Sequence, residues 1–245
     1  MNTHIKWAAE LAHVREVSLL GPADLTFWRD RLRKEDLVPT ERDGRAQVLI
    51  IAVEARFWGV RFHELSFAVL VSRHEEGTQQ DACYLIRAFN SRRLFAMCER
   101  VFFSTPYYHG DVRLSASFPA SIRLVETGEV IFQAEMQAGG FTPAREPLRC
   151  GEDGWEGAVF LPDHGRGKGR QGNVFFARIR GHTRTYPFLP SKDAMTIRPS
   201  PDSGVLQALI DSRFVAKEWA IRADALHAKS KTYKRAAVLA GRTHA

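Results

Sequence analysis

The sequence predicts a mainly β protein with some helix, its antiparallel strands forming a barrel or sandwich with a few peripheral helices. Three observations carry that expectation. Between Ala46 and Gln137 the chain runs through QVLIIAVEARFW, HELSFAVLVSR, CYLIRAF, DVRLSASF, SIRLVE and EVIFQAEMQ, short segments rich in β-branched and aromatic residues and separated by turn-rich stretches. One helix-like piece, SRRLFAMCERVF, interrupts them, so the regular alternation of strand and long helix that builds βαβ units is missing. With 245 residues, 44% of them hydrophobic, the chain can bury a sizeable core. Barrels and sandwiches of this length commonly form one domain, and a single domain over 1–245 is expected.

Taken in order, residues 3–11 carry a loose helical periodicity, Val14 to Leu20 reads as a first strand, and Gly21-Pro22 is expected to stop it. Asp24 is a plausible N-cap for a short helix with Leu25, Trp28 and Leu32 on one face, ended near Pro39. After the strands of the central region, residues 139–172 are dense in Gly, Pro and charge and predict loops around one ordered piece, WEGAVFL. NVFFARIRG and TRTYPFL resume the β texture, and DSGVLQALIDSRF predicts a capped helix with Val205, Leu209 and Ile210 inward. In EWAIRADALHAKSKTY helix formers dominate, so the residues alone leave helix and strand open.

The net charge of +7 is unevenly spread, with sixteen Lys/Arg against six Asp/Glu from Asp163 onward and nineteen against twenty-two before it. A segregated positive end suits nucleic acid or another polyanion, and it equally suits a solvated surface. Its densest part lies in the basic tail 229–245, with Lys229, Lys231, Lys234 and Arg235 in HAKSKTYKR. DHGRGKGRQG matches neither phosphate-loop pattern and reads as a hairpin. Cys83, Cys98 and Cys150 are odd in number and widely spaced, which predicts buried free thiols rather than disulfides or a zinc site. No apolar stretch is long enough to span a bilayer and the first residues lack a signal-peptide core, so a cytoplasmic protein without a membrane partner is expected.

The order of elements around ADLTFWRDRLRKEDLVP and CERVFFSTPYYHGDVRLSAS resembles the acetoacetate decarboxylase-like superfamily, in which a Glu precedes an aromatic-Pro stretch and a strand. The resemblance implies a barrel of that type and a closing strand, which makes EWAIRADALHAK the last strand. It also implies a Schiff-base lysine just after the proline. Here Tyr107, Tyr108 and His109 follow Pro106, and no lysine lies between Lys34 and Lys168. Schiff-base decarboxylation is therefore not expected unless a lysine of the basic third, such as Lys217 or Lys229, reaches the interior.

What remains is a candidate pocket for a small anionic or carbonyl ligand, lined by Arg87, Glu99, Arg100, Tyr107, Tyr108 and His109. Strict alternation puts Arg87 on one face with Cys83, Leu85 and Phe89, where its partner is a ligand carboxylate or an ion pair with Glu99 or Glu135. Arg178 poses the same question. His109, beside Tyr108 and two residues from Asp111, offers acid/base chemistry but too few ligands for a metal. The pairs His63-Glu64 and His74-Glu75 point to opposite strand faces. No metal and no cofactor are expected.

Overall fold

The computed structural model describes residues 5–72, 82–137, 147–163, 172–200 and 203–239. His74, Glu75, most of the DHGRGKGRQG segment and the last six residues lie outside them. In chain order the elements are β1 (Trp7–Ala23), α1 (Leu25–Arg33), β2 (Val38–Pro39), β3 (Glu41–Arg42), β4 (Arg45–Phe57), β5 (Val60–Ser72), β6 (Ala82–Asn90), α2 (Arg93–Phe103), β7 (Tyr107–His109) and β8 (Asp111–Ser115). There follow β9 (Ser121–Glu126), β10 (Glu129–Glu135), β11 (Arg149–Phe160), β12 (Asn173–Pro187), β13 (Ala194–Ile197), α3 (Gly204–Asp211), β14 (Glu218–Ser230), β15 (Tyr233–Lys234) and α4 (Arg235–Leu239).

The N-terminus corrects the expected helix-then-strand, since β1 is one continuous strand paired with β14 on one side and β4 on the other. The Ala, Glu and Leu of residues 7–11 favour a helix locally, but the ladder to β14 overrides so weak a preference. Gly21 and Pro22 do not stop it. A Cβ on Gly21 would stand 2.0 Å from the Val215 carbonyl oxygen, so the glycine is there because another backbone crosses it. Gly21→Ala is expected to destabilise the fold by about 1–3 kcal/mol, read from the urea midpoint; an unchanged midpoint would contradict this close approach.

Helix α1 starts as anticipated: Asp24 Oδ1 accepts from the Phe27 N–H at 2.8 Å, and Trp28 and Leu32 are buried. In α3, Val205 and Leu209 are buried but Ile210 is 39% exposed, because Leu206 and Ala208 complete the inner face instead. The strand in the Gly-rich region is longer than WEGAVFL, beginning at Arg149, because every residue of β11 finds a partner on β12.

The large sheet runs β2-β5-β4-β1-β14-β12-β11-β6-β7, and β5 also pairs with β6. The hydrogen-bonded path through β5, β4, β1, β14, β12, β11 and β6 thus returns to its starting strand. The sheet is mixed rather than purely antiparallel, since β6 runs parallel to both β11 and β7. The helix-like piece of the sequence, α2, is the crossover that a parallel β6–β7 step requires. A second sheet, β13-β10-β9-β8, packs outside the first.

One face of the closed path is the outer one. It carries Val17, Leu19, Val48, Ile50 and Phe67, all fully buried in a core shared with α1, α3 and the second sheet. The enclosed face carries Ala68, Leu70, Cys83, Leu85, Ala88, Val159, Leu161 and Phe175. Leu20, Leu49 and Ile51 also face inward yet stay partly accessible, unlike their outward neighbours Leu19, Val48 and Ile50. The inside is therefore less completely filled than the outer core.

Candidate functional site

Two irregularities decide which side chains look inward. Between β5 and β6 the register slips after Phe67, which pairs with Arg87 while Ala68 pairs with Leu85. The extra residue, Ile86, reverses the alternation. Cys83, Leu85 and Ala88 therefore face inward, whereas Arg87 shares the opposite face with Phe89. This corrects the uniform alternation read from the sequence.

The six candidate residues accordingly split. Tyr107, paired with Ala88, is buried and looks inward. Glu99, on α2, joins it there. Tyr108 turns the other way, its ring 3.8 Å from the Arg87 guanidinium carbon and 5.6 Å from that of Arg100, a cation–π stack on the far side of β7. His109 is exposed at the strand end. Arg87 and Arg100 thus stand with Tyr108, apart from the inward pair.

Around Tyr107 and Glu99 the fold assembles groups from distant strands. Tyr107 Oη donates to Glu64 Oε1, which also accepts from Ser66 Oγ at 3.2 Å. Glu99 Oε2 accepts from Thr105 Oγ1 at 2.9 Å and forms an ion pair with Lys229 Nζ. The Lys229 ammonium lies 4.5 Å, 4.7 Å and 5.5 Å from the ring centres of Phe103, Phe175 and Tyr107. A lysine from β14 therefore reaches the neighbourhood of Tyr107, the residue standing where the resemblance expects a lysine. Burial, and then the nearby Glu99 charge, hold the Glu64 carboxyl above its ordinary range despite the Tyr107 hydrogen bond. Burial and the Glu64 charge push the Tyr107 phenol well above its own.

A second inward node lies on the same strand. A bulge in β14 between Arg222 and Ala225 places Arg222 on the face of Ala225, His227 and Lys229. Gly181 opposite permits it, because a Cβ there would stand 2.8 Å from the Asp224 carbonyl oxygen. Glu16, 1% exposed, pairs with Arg222, which also reaches Asp153 at 3.5 Å. His227 Nε2 stands 2.8 Å from Glu16 Oε2, a close contact in which neither atom has a well-aligned hydrogen bond. Burial raises the Glu16 pKa, but His227 and Arg222 outweigh it and the net shift is downward. Asp153, Thr183 and Thr185 line a groove of about 330 Å³ beside this node.

The structure also places several other residues named from the sequence. Arg178 pairs with Glu156 at 2.6 Å. Arg235 is buried against Glu35 at 3.1 Å, so with Lys229 it leaves the exposed basic tail that the sequence suggested. Lys231 and Lys234 remain exposed. All three cysteines are free, but only Cys83 is buried, its thiol pushed up to about 12 by burial; Cys150 is exposed. His63 and Glu64 do face apart, and Glu64 alone enters the site. Among the described residues no group of three or more metal-ligating side chains gathers, and no helix is long and apolar enough to cross a membrane.

Sequence reasoning missed Glu64, Ser66, Glu16, Arg222 and His227. One signal was present in ELSFAVLV, where Glu64 and Ser66 alternate on one face of a strand whose residues further along are apolar on both faces. For the Glu16 node no such signal exists, since a bulge is not legible in RADAL.

No family model and no curated protein matches the chain. Solved structures do. An acetoacetate decarboxylase from Legionella pneumophila subsp. pneumophila str. Philadelphia 1 superposes with a TM-score of 0.63 at 12% identity, over 96% of this chain and 89% of that one. An acetoacetate decarboxylase-like enzyme from Sphingomonas wittichii RW1 gives 0.57 at 11% identity, over 92% and 91%. A further acetoacetate decarboxylase gives 0.58 at 12%, over 92% and 88%. Identity this low fixes architecture and not activity, and on that architecture the chain has the acetoacetate decarboxylase-like fold.

Proposed function

We propose that the protein is a small-molecule-binding barrel, the closed strand path enclosing its site, and that it acts on a small carbonyl or carboxylate compound. The observation that carries this reading is the inward cluster of Glu64, Tyr107, Glu99 and Lys229 beside partly accessible apolar wall residues. A carboxyl held toward its protonated form next to a phenol is a proton donor, and an ammonium among aromatic rings stabilises negative charge developing on an oxygen. The cluster does not require a Schiff base. Lys229 is engaged by Glu99, and imine formation needs a free amine with its lone pair available. The polyanion alternative draws no support from the geometry, because Arg178, Arg222, Lys229 and Arg235 are taken up by carboxylates of the same chain.

Binding is tested by titrating pyruvate, acetoacetate and acetone into the protein and following amide shifts by NMR. Shifts centred on Tyr107 and Lys229, weakened about tenfold or more in Tyr107→Phe and Lys229→Met, are expected. Binding that both variants leave unchanged, or no binding at all, overturns the reading. Borohydride added with acetoacetate is expected to trap no adduct on any lysine; a mass-mapped adduct on Lys229 would replace proton-transfer chemistry with imine chemistry.

A further inference from the structure

Resting on that reading, we infer that His227, oriented by Glu16, is a second proton-transfer residue of the same interior, and that the bound compound is a carbonyl with an exchangeable proton on the adjacent carbon. The contact geometry sets the two ring nitrogens apart. Nε2 is buried 2.8 Å from Glu16 Oε2, where the carboxylate favours the tautomer with its proton on Nε2. The side chain stays 19% accessible, and Nδ1, unlike Nε2, is not among its buried atoms; it has no hydrogen-bond partner among the described residues. A neutral imidazole in this tautomer presents the Nδ1 lone pair as a base.

Glu16 is well placed to orient the ring. It is 1% exposed, and Arg222, itself anchored on Asp153, grips its other oxygen, so the carboxylate cannot turn away from His227. The charged groups facing the imidazole are Glu16 from β1 with Arg222 and Lys229 from β14, while β12 supplies Ile179 opposite it. No bulge separates His227 from Lys229 in either ladder, so both project inward. Two residues of strand put their Cα atoms roughly 7 Å apart, so base and ammonium belong to neighbouring side chains on one face of β14.

The step balances without a co-reactant. His227 Nδ1 takes a proton from the carbon next to the carbonyl, the C–H electron pair moves into the new C=C bond, and the C=O pair moves to the oxygen. The enolate so formed is stabilised by the Lys229 ammonium or protonated by Glu64. The Nδ1 proton exchanges with solvent, the imidazolium returns a deuteron to carbon, the C=C pair reforms the C=O bond, and a proton lent by Glu64 goes back to its carboxylate; the ketone is restored and nothing is oxidised or reduced.

Two measurements test it. In the ligand-free protein, long-range ¹H–¹⁵N correlation of the imidazoles should show His227 protonated at Nε2 and bare at Nδ1 when neutral, with that preference lost in Glu16→Gln. A neutral ring protonated at Nδ1 overturns the inference whatever the ligand. In D₂O, the wild-type protein should speed deuterium exchange into acetone and pyruvate. His227→Gln should lose about 10²-fold or more of that rate while still binding the probes, and Glu16→Gln should lower the rate and displace its pH profile. Probes that bind without exchanging, or exchange unaltered in His227→Gln, sink this inference and leave the binding site standing. Failure of both probes to bind removes the proposed function, and this inference with it.

Discussion

Glu16→Ala is expected to cost about 3 kcal/mol at pH 7, because removing one partner of a buried ion pair leaves the other charge without compensation. The figure sits at the low end of the usual range for a stated reason: Arg222 keeps a second carboxylate, Asp153, at 3.5 Å. The pH dependence follows from the direction of the Glu16 shift. A carboxyl held below its ordinary value of 4.5 stabilises the fold at pH values above that point, and the contribution disappears as pH falls through the folded-state value. Wild type should therefore lose stability more steeply than Glu16→Ala on acidification below about pH 5, and the two should converge in strong acid. Urea titrations at pH 7, 4.5 and 3 measure this. A gap that stays constant across the three would mean that Glu16 acts by packing and not by charge.

Phe67→Ala is expected to cost roughly 3–5 kcal/mol. Phe67 is fully buried on the outer face of β5, edge-on to Phe89 at 6.2 Å between ring centres and to Phe132 of the second sheet at 5.5 Å. Its removal opens a cavity at the seam between the two sheets and forfeits both ring contacts. For a chain of this length such a loss lowers Tm by roughly 10 °C, readable by calorimetry. Phe67→Leu, which refills much of the volume, should cost clearly less. A Phe67→Ala loss below about 1 kcal/mol would show that the second sheet does not lean on this ring.

Much of the fold was legible because its signals are local. Asp24 ahead of Leu25, Trp28 and Leu32 announces a capped amphipathic helix, and both halves of that pattern appear in α1. The strands from β4 to β10, β7 excepted, could be read from β-branched texture, and three turns beside them carry a residue followed by glycine, both at positive φ: Asp43-Gly44, Trp58-Gly59 and Thr127-Gly128. The N-terminal segment was misread because Trp7 to Leu11 is locally helical in composition. Its conformation is set by β14, more than two hundred residues away in the chain.

The candidate site divides along the same line. By itself the sequence placed Glu99 and Tyr107 in one short segment, CERVFFSTPYYH, and showed that no lysine lies between Lys34 and Lys168. Only the tertiary structure decided that Lys229 comes near Tyr107, that its partner is Glu99, 130 residues earlier, and that Arg87 and Tyr108 face away from both. The physical reason is the bulge. One extra residue at Ile86 and another between Arg222 and Ala225 reverse which side chains look inward, and a bulge is fixed by the partner strand's register rather than by the residues that form it.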